Sequence, residues 1–216
     1  YNQYILNIVT NIYLGLDFYL KKYVKIKKRI KGGMKMKAAV LFKDGFEELE
    51  ALSVVDVLRR AQLTCLMVGM DATSVKSSHG IEVKMDQLFD ESVYDVDIVV
   101  LPGGLPGATS LRDDQRVIDI LKSFNEQGKW IGAICAGPIS LEKANVISNK
   151  KFTCYPRFEK EIPSGIYQDV LVCCDQNMIT GRGPAAALEF AYTILEKLGQ
   201  PSKDIREGMQ YHYLVK

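Results

Sequence analysis

Histidine is almost missing from this chain: His79 and His212 are the only two among 216 residues. Neither lies in the three strand-end motifs described below, so an in-line Cys-His pair is not expected. The five cysteines lack the regular paired spacing of a disulfide framework. Near the start the chain places apolar residues before basic ones, the reverse of a secretory signal, and a reducing compartment, the cytoplasm, is expected. Gly103, Gly104 and Gly107 match neither the dinucleotide nor the mononucleotide fingerprint, and no Gly-Lys-Ser/Thr follows them. No cofactor and no metal are therefore expected. An unbroken apolar run is missing too. Residues 1–20 are rich in Ile, Leu, Tyr and Phe, but Asn2, Gln3, Asn7, Asn11 and Asp17 interrupt them. A membrane span needs about 20 mostly apolar residues, so no membrane role is expected.

Composition is that of an ordinary globular protein, 47% hydrophobic and 25% charged. The net charge of +2 is unevenly placed: residues 1–33 carry six Lys and one Arg against Asp17, a net of +6, which leaves −4 for the remainder. A mildly acidic body does not suit specific nucleic-acid binding. The first stretch uses the Ile/Lys/Asn/Tyr vocabulary of translated AT-rich DNA. Its Lys31-Gly32-Gly33 is what a purine-rich ribosome-binding sequence encodes in this frame, with Met34 and Met36 directly after. Residues 1–33 are expected to be a non-native upstream leader, disordered or loosely helical, and residues 34–216 a single domain.

Within that body, apolar runs at 36–42, 63–68, 97–101 and 129–134 read as buried strands. Residues 74–76 and 81–85 read as a hairpin around His79-Gly80, and 170–174 with 178–180 as two short strands around Gln176-Asn177. Helical stripes run over 46–60, 111–125 and 184–198, with shorter helices at 138–144 and 203–209. Strand and helix alternate, which predicts an α/β fold: a mostly parallel sheet with helices on both faces.

Ligands in such sheets bind beyond the carboxyl ends of the strands, and three motifs fall there. Asp44-Gly45-Phe46-Glu47-Glu48-Leu49-Glu50 follows the first strand, Leu101-Pro102-Gly103-Gly104 the third, and Ala133-Ile134-Cys135-Ala136-Gly137-Pro138 the fourth. A cysteine between a buried strand and a helix, flanked by small residues, fits a nucleophile elbow. The helix start behind Cys135 is expected to lower its pKa. Backbone amides at Cys135 and Gly104 are expected to hold an oxyanion. Glu47 and Glu50, three apart, share a helical face from which one carboxylate can exchange a proton with the thiol. Cys65, Cys154, Cys173 and Cys174 read as structural, with Cys173 and Cys174 on opposite faces of a strand.

Four segments, Gly-Phe-Glu-Glu-Leu-Glu, Leu-Pro-Gly-Gly, Ala-Ile-Cys-Ala-Gly-Pro and Gly-Arg-Gly-Pro, stand in an order and spacing that resemble the ThiJ/PfpI superfamily. The nearer likeness is to its branch with the Parkinson-disease-linked protein and bacterial YajL. The likeness runs from about Lys37 to about Leu198. It implies a flavodoxin-like three-layer sandwich, a homodimer with the pocket near the interface, and Cys135 as a reactive, oxidation-prone thiol. By position it implies Glu50 as the acid hydrogen-bonded to that thiol, Glu47 as a second pocket carboxylate and Gly104 as an oxyanion donor. Gly103 and Ala136 then line the pocket, with Arg182 on its wall. The implied activities are glutathione-independent glyoxalase and deglycation of methylglyoxal-modified proteins and nucleotides under oxidative and carbonyl stress. The partner is then a small aldehyde or a glycated macromolecule; a redox-responsive chaperone or sensor working through Cys135 is the alternative. Two departures bear on this. Relatives often carry histidine where this chain has Tyr155, and the peptidase branch places histidine where it has Ala136, which argues against a peptidase.

Overall fold

β1 (Lys37–Phe42) supplies both faces of the sheet. Its Ala39 and Leu41 enter one buried cluster, and its Ala38, Val40 and Phe42 enter another, as alternation along an all-apolar strand requires. The structure is a computed structural model and describes residues 36–214; the leader expected at 1–33 lies outside them. The strands after β1 are β2 (Thr64–Gly69), the hairpin pair β3 (Ser74–Lys76) and β4 (Glu82–Lys84), β5 (Gln87–Leu88), β6 (Ile98–Leu101) and β7 (Trp130–Ile134). They continue with β8 (Lys151–Phe152), β9 (Ile166–Tyr167), β10 (Val172–Asp175) and β11 (Met178–Gly181). Seven of them form the central sheet, in the order β10-β11-β7-β6-β1-β2-β5. Every pairing in it is parallel except β10 with β11.

Helices cover both faces. α1 (Glu48–Arg60) and α5 (Ala187–Lys197) bury Val54, Val57, Leu58, Phe190, Ile194 and Leu195 against one side. α2 (Gly107–Arg112), α3 (Gln115–Glu126) and α4 (Ile139–Lys143) bury Leu111, Leu121, Phe124 and Leu141 against the other. α6 (Lys203–Gly208) follows near the end of the chain. This is the expected three-layer sandwich. The stripe predicted as one helix over 111–125 is two: it breaks at Asp113-Asp114, where Asp114 caps α3 by accepting from the Arg116 amide. Aspartate offers its side chain to the backbone there, and this favours a cap over a helix interior. The two-residue strands β5, β8 and β9 are too short for periodicity to reveal. No described helix is long and apolar enough to cross a membrane.

The chain leaves β1 toward β2 on one side and returns through β6 and β7 on the other, so the sheet order reverses at β1. Crevices in open α/β sheets form at such a reversal, and β1, β6 and β7 lie side by side there. Phe190 of α5 is fully buried against Gly132 of β7 and Gly181 of β11, directly beneath the end of β7. Phe190→Ala is expected to cost about 3–5 kcal/mol, read as a lower urea midpoint at unchanged slope. A loss below about 1 kcal/mol would show that this packing does not support the sheet.

Candidate active site

β7 ends at Ile134, and the next residue, Cys135, adopts φ +61°. A left-handed conformation at a non-glycine residue costs of order 1–3 kcal/mol and persists only where the surroundings impose it. Here both backbone groups of Cys135 are pinned: its N–H donates to Gly181 O (2.9 Å), and its carbonyl accepts from Tyr155 N–H (3.0 Å). The elbow expected from sequence is present.

Two loops close over it. Gly103 has no room for a side chain: a Cβ there would lie 2.6 Å from Cys135 Cβ and 2.7 Å from Glu50 Oε2. Gly104 adopts φ +84°, and its Cβ would lie 2.4 Å from both Glu47 N and Gly45 O, so only glycine fits. The Gly103 amide donates to Glu50 Oε2 (2.7 Å), while the amides of Gly104 and Ala136 point at the Cys135 sulfur. This corrects the donor pair expected from sequence. The Cys135 amide is spent on Gly181, and Ala136, the residue after the nucleophile, takes its place beside Gly104. The elbow pattern itself names that residue as the donor.

The acidic segment divides its labour. Glu47 is the cap of α1 rather than part of its first turn; Glu47 Oε2 accepts from the Glu50 amide (2.8 Å), and its own N–H donates to Gly103 O (3.0 Å). Glu48 turns away to Nδ1 of His79 on the β3–β4 hairpin (2.9 Å). Glu50 is completely buried and faces the Cys135 thiol side chain to side chain. Glu47, Glu48 and His79 each bring one ligand atom within 4.8 Å of the others, a spacing a cation could use. The Glu48–His79 ion pair and the capping bond already engage these side chains.

Tyr155 is joined to the site through its backbone; its ring lies against Gly183 and edge-on to Phe158, half exposed. Arg182 reaches Tyr167 Oη (3.2 Å) and the carboxylate of Asp169, which engage its charge. Elsewhere, burial pushes the Cys65 and Cys154 thiols up to about 12, which suits inert cysteines. Cys173 is buried and Cys174 exposed, on opposite faces as expected.

Electrostatics treat Glu50 and Cys135 as one unit. Burial, helped by the charge of Glu47, lifts Glu50 to about 7 against the opposing pull of Cys135 and the Gly103 amide. Burial and the charge of an ionised Glu50 raise the Cys135 thiol, outweighing the amides of Ala136 and Gly104. The expected lowering by a helix start does not occur; α4 has only five residues, and a dipole that short cannot offset burial beside a carboxylate. The pair thus loses one proton near pH 7 and resists losing the second. Two amides face the sulfur, and Glu50 receives the Gly103 amide and the thiol hydrogen. With Glu50 ionised, the remaining proton stays on the sulfur, hydrogen-bonded to the carboxylate.

The unfolded chain ionises Glu50 near 4.5 and the folded one near 7. Between those values the folded state binds the extra proton, so stability falls as pH rises through that window, by about 3 kcal/mol. Glu50→Gln is expected to flatten this fall, raising stability at pH 8 relative to pH 5. An identical pH dependence in wild type and variant would contradict the assignment.

Comparison with known proteins identifies the family and the fold. The DJ-1/PfpI family profile matches residues 36–197. Protein dj-1beta of Drosophila melanogaster is 36% identical over 186 residues, covering 83% of this chain and all of that protein. Its crystal structure superposes with a TM-score of 0.79 over 82% of this chain and 98% of that one. The oxidised DJ-1 of Toxoplasma gondii follows at 33% identity and a TM-score of 0.76, covering 81% and 98%. The glutathione-independent glyoxalase DJR-1.2 of Caenorhabditis elegans is 34% identical over 160 residues, 73% of this chain and 85% of that protein. The chain belongs to the DJ-1/PfpI family.

Proposed function

We propose that the chain is a cysteine-dependent glyoxalase that converts methylglyoxal to lactate without glutathione, and that the same thiol acts on methylglyoxal adducts of proteins and nucleotides. The observation that carries this reading is the buried Glu50–Cys135 pair, which loses its first proton near neutrality, where general acid–base work is most effective. The relative named a glutathione-independent glyoxalase supports the reaction class.

The Cys135 thiol passes its proton to the Glu50 carboxylate and its sulfur adds to the aldehyde carbon, forming a C–S bond while the carbonyl electron pair moves onto oxygen. The Gly104 and Ala136 amides are the donors available to that oxyanion. Glu50 gives it a proton, leaving a hemithioacetal. The Glu50 carboxylate then removes the proton from the former aldehyde carbon and returns it to the neighbouring carbon through an enediol, which leaves a lactoyl thioester. Water adds, the C–S bond breaks and lactate departs. The sum is methylglyoxal plus water giving lactate, with no external oxidant or reductant. Leu49, Leu105 and Tyr155 are exposed on the segments that carry the site; they support a second copy of the chain as the cover of this face.

A second reading has its own observation. Donors already gathered at the Cys135 sulfur suit the charge of a sulfinate, so peroxide oxidation of Cys135 would make the chain a redox sensor or chaperone. One incubation separates the two. With methylglyoxal and no glutathione, the wild type is expected to form lactate and Cys135→Ala only at the uncatalysed rate. Full activity in Cys135→Ala refutes the mechanism. Absent lactate, with Cys135 gaining two oxygens from peroxide before the other cysteines do, favours the sensor.

A further inference from the structure

Three hydrogen bonds close a ring around the acid of the site. The Glu50 N–H donates to Glu47 Oε2 (2.8 Å), the Gly103 N–H donates to Glu50 Oε2 (2.7 Å), and the Glu47 N–H donates to Gly103 O (3.0 Å). Gly103 is also the residue pressed against Cys135, since a Cβ there would lie 2.6 Å from Cys135 Cβ. Glu47 therefore fixes Glu50 twice, directly through its side chain and indirectly through Gly103. The family pattern makes Glu47 a second carboxylate of the pocket, open to substrate. The structure gives it a different place. It is 7% exposed, and its side chain caps α1. A carboxylate so buried, with an oxygen spent on a capping bond, has little surface left for an incoming aldehyde. It does have a charge, and it stands beside a second buried acid. Like charges that are both held from water repel each other with little screening. The Glu47 charge is opposed by Glu48 and favoured by His79. In turn it opposes ionisation of Glu50.

We propose that Glu47 is a positioning residue: it touches no substrate, and through the ring of hydrogen bonds and its own charge it makes Glu50 a base strong enough to take the Cys135 proton. A base whose pKa lies near the working pH is both largely ionised and still willing to accept a proton. With a neutral residue at position 47, Glu50 loses one of the influences that lift it to about 7. It then ionises at lower pH and becomes the weaker base. This rests on the role of Glu50 in the proposed glyoxalase chemistry, but the protonation of Glu50 can be read without turnover.

Two neutral variants, Glu47→Gln and Glu47→Ser, each keep an oxygen that can accept from the amides at the start of α1. Glu47→Asp keeps both cap and charge. A urea midpoint confirms that each variant is folded. Glu50 is then followed by isotope-edited NMR of its side-chain carboxyl, the signal being the one that Glu50→Gln removes. In the wild type it is expected to titrate near pH 7. In the neutral variants the midpoint is expected to fall by about half a pH unit or more, and Glu47→Asp is expected to recover most of that fall. Loss of capping alone would lower the urea midpoint and leave the Glu50 titration where it was. Lactate formation gives a second readout. The acid limb of kcat/KM is expected to move down with the Glu50 midpoint, while KM for methylglyoxal changes by less than about twofold. A Glu50 midpoint unmoved in the folded neutral variants overturns the proposal. So does a KM raised about tenfold, which would return Glu47 to the substrate contacts. A midpoint that falls in a protein that makes no lactate refutes the glyoxalase reading and leaves the hold of Glu47 on Glu50 standing.

Discussion

A carboxyl group and a thiol buried against each other cannot both be ionised, and the geometry around Cys135 follows from that constraint. Removing two acids from water is unfavourable unless one proton stays in the pair. The Gly103 amide on Glu50 and the Gly104 and Ala136 amides at the sulfur hold the single negative charge that remains. The consequence is a buried carboxyl–thiol pair that carries one negative charge and one proton once the pH passes about 7.

The scaffold keeps those amides in position. Parallel strands end side by side at β1, β6 and β7, and each contributes one loop: the acidic segment, the glycine pair and the cysteine elbow. The loops are locked to one another by Glu47 N–H on Gly103 O and by the missing side chain at Gly103. The left-handed Cys135 is held by bonds to Gly181 and Tyr155 on the neighbouring segments. Local strain at Cys135 is thus borne by the surrounding sheet and its segments.

Much of this was legible in the sequence. The unbroken apolar strands announced a sheet covered on both faces, and the small residues around Cys135 announced a crowded turn. The helical spacing left Glu47 and Glu50 both open as the acid beside the thiol, and the family resemblance singled out Glu50; in the structure Glu47 caps the helix and Glu50 faces the thiol. What escaped depends on partners distant in sequence. The Cys135 amide cannot be known to be spent until Gly181 is seen to accept from it. Asp169 has no motif around it, and its hold on Arg182 exists only once the segment after β9 folds back beside β11. The direction of the Cys135 shift escaped for a different reason: sequence reveals a helix start but not its length or the depth of burial, and burial wins here.

The shared proton is most directly tested by the pH profile of Cys135 alkylation with iodoacetamide. The rate is predicted to rise with a midpoint above about 8.5, the ordinary thiol value, in the wild type, and that midpoint is predicted to fall in Glu50→Gln, where the carboxylate charge is gone. A wild-type midpoint at or below the ordinary thiol value, or a profile that Glu50→Gln leaves unchanged, would contradict the account.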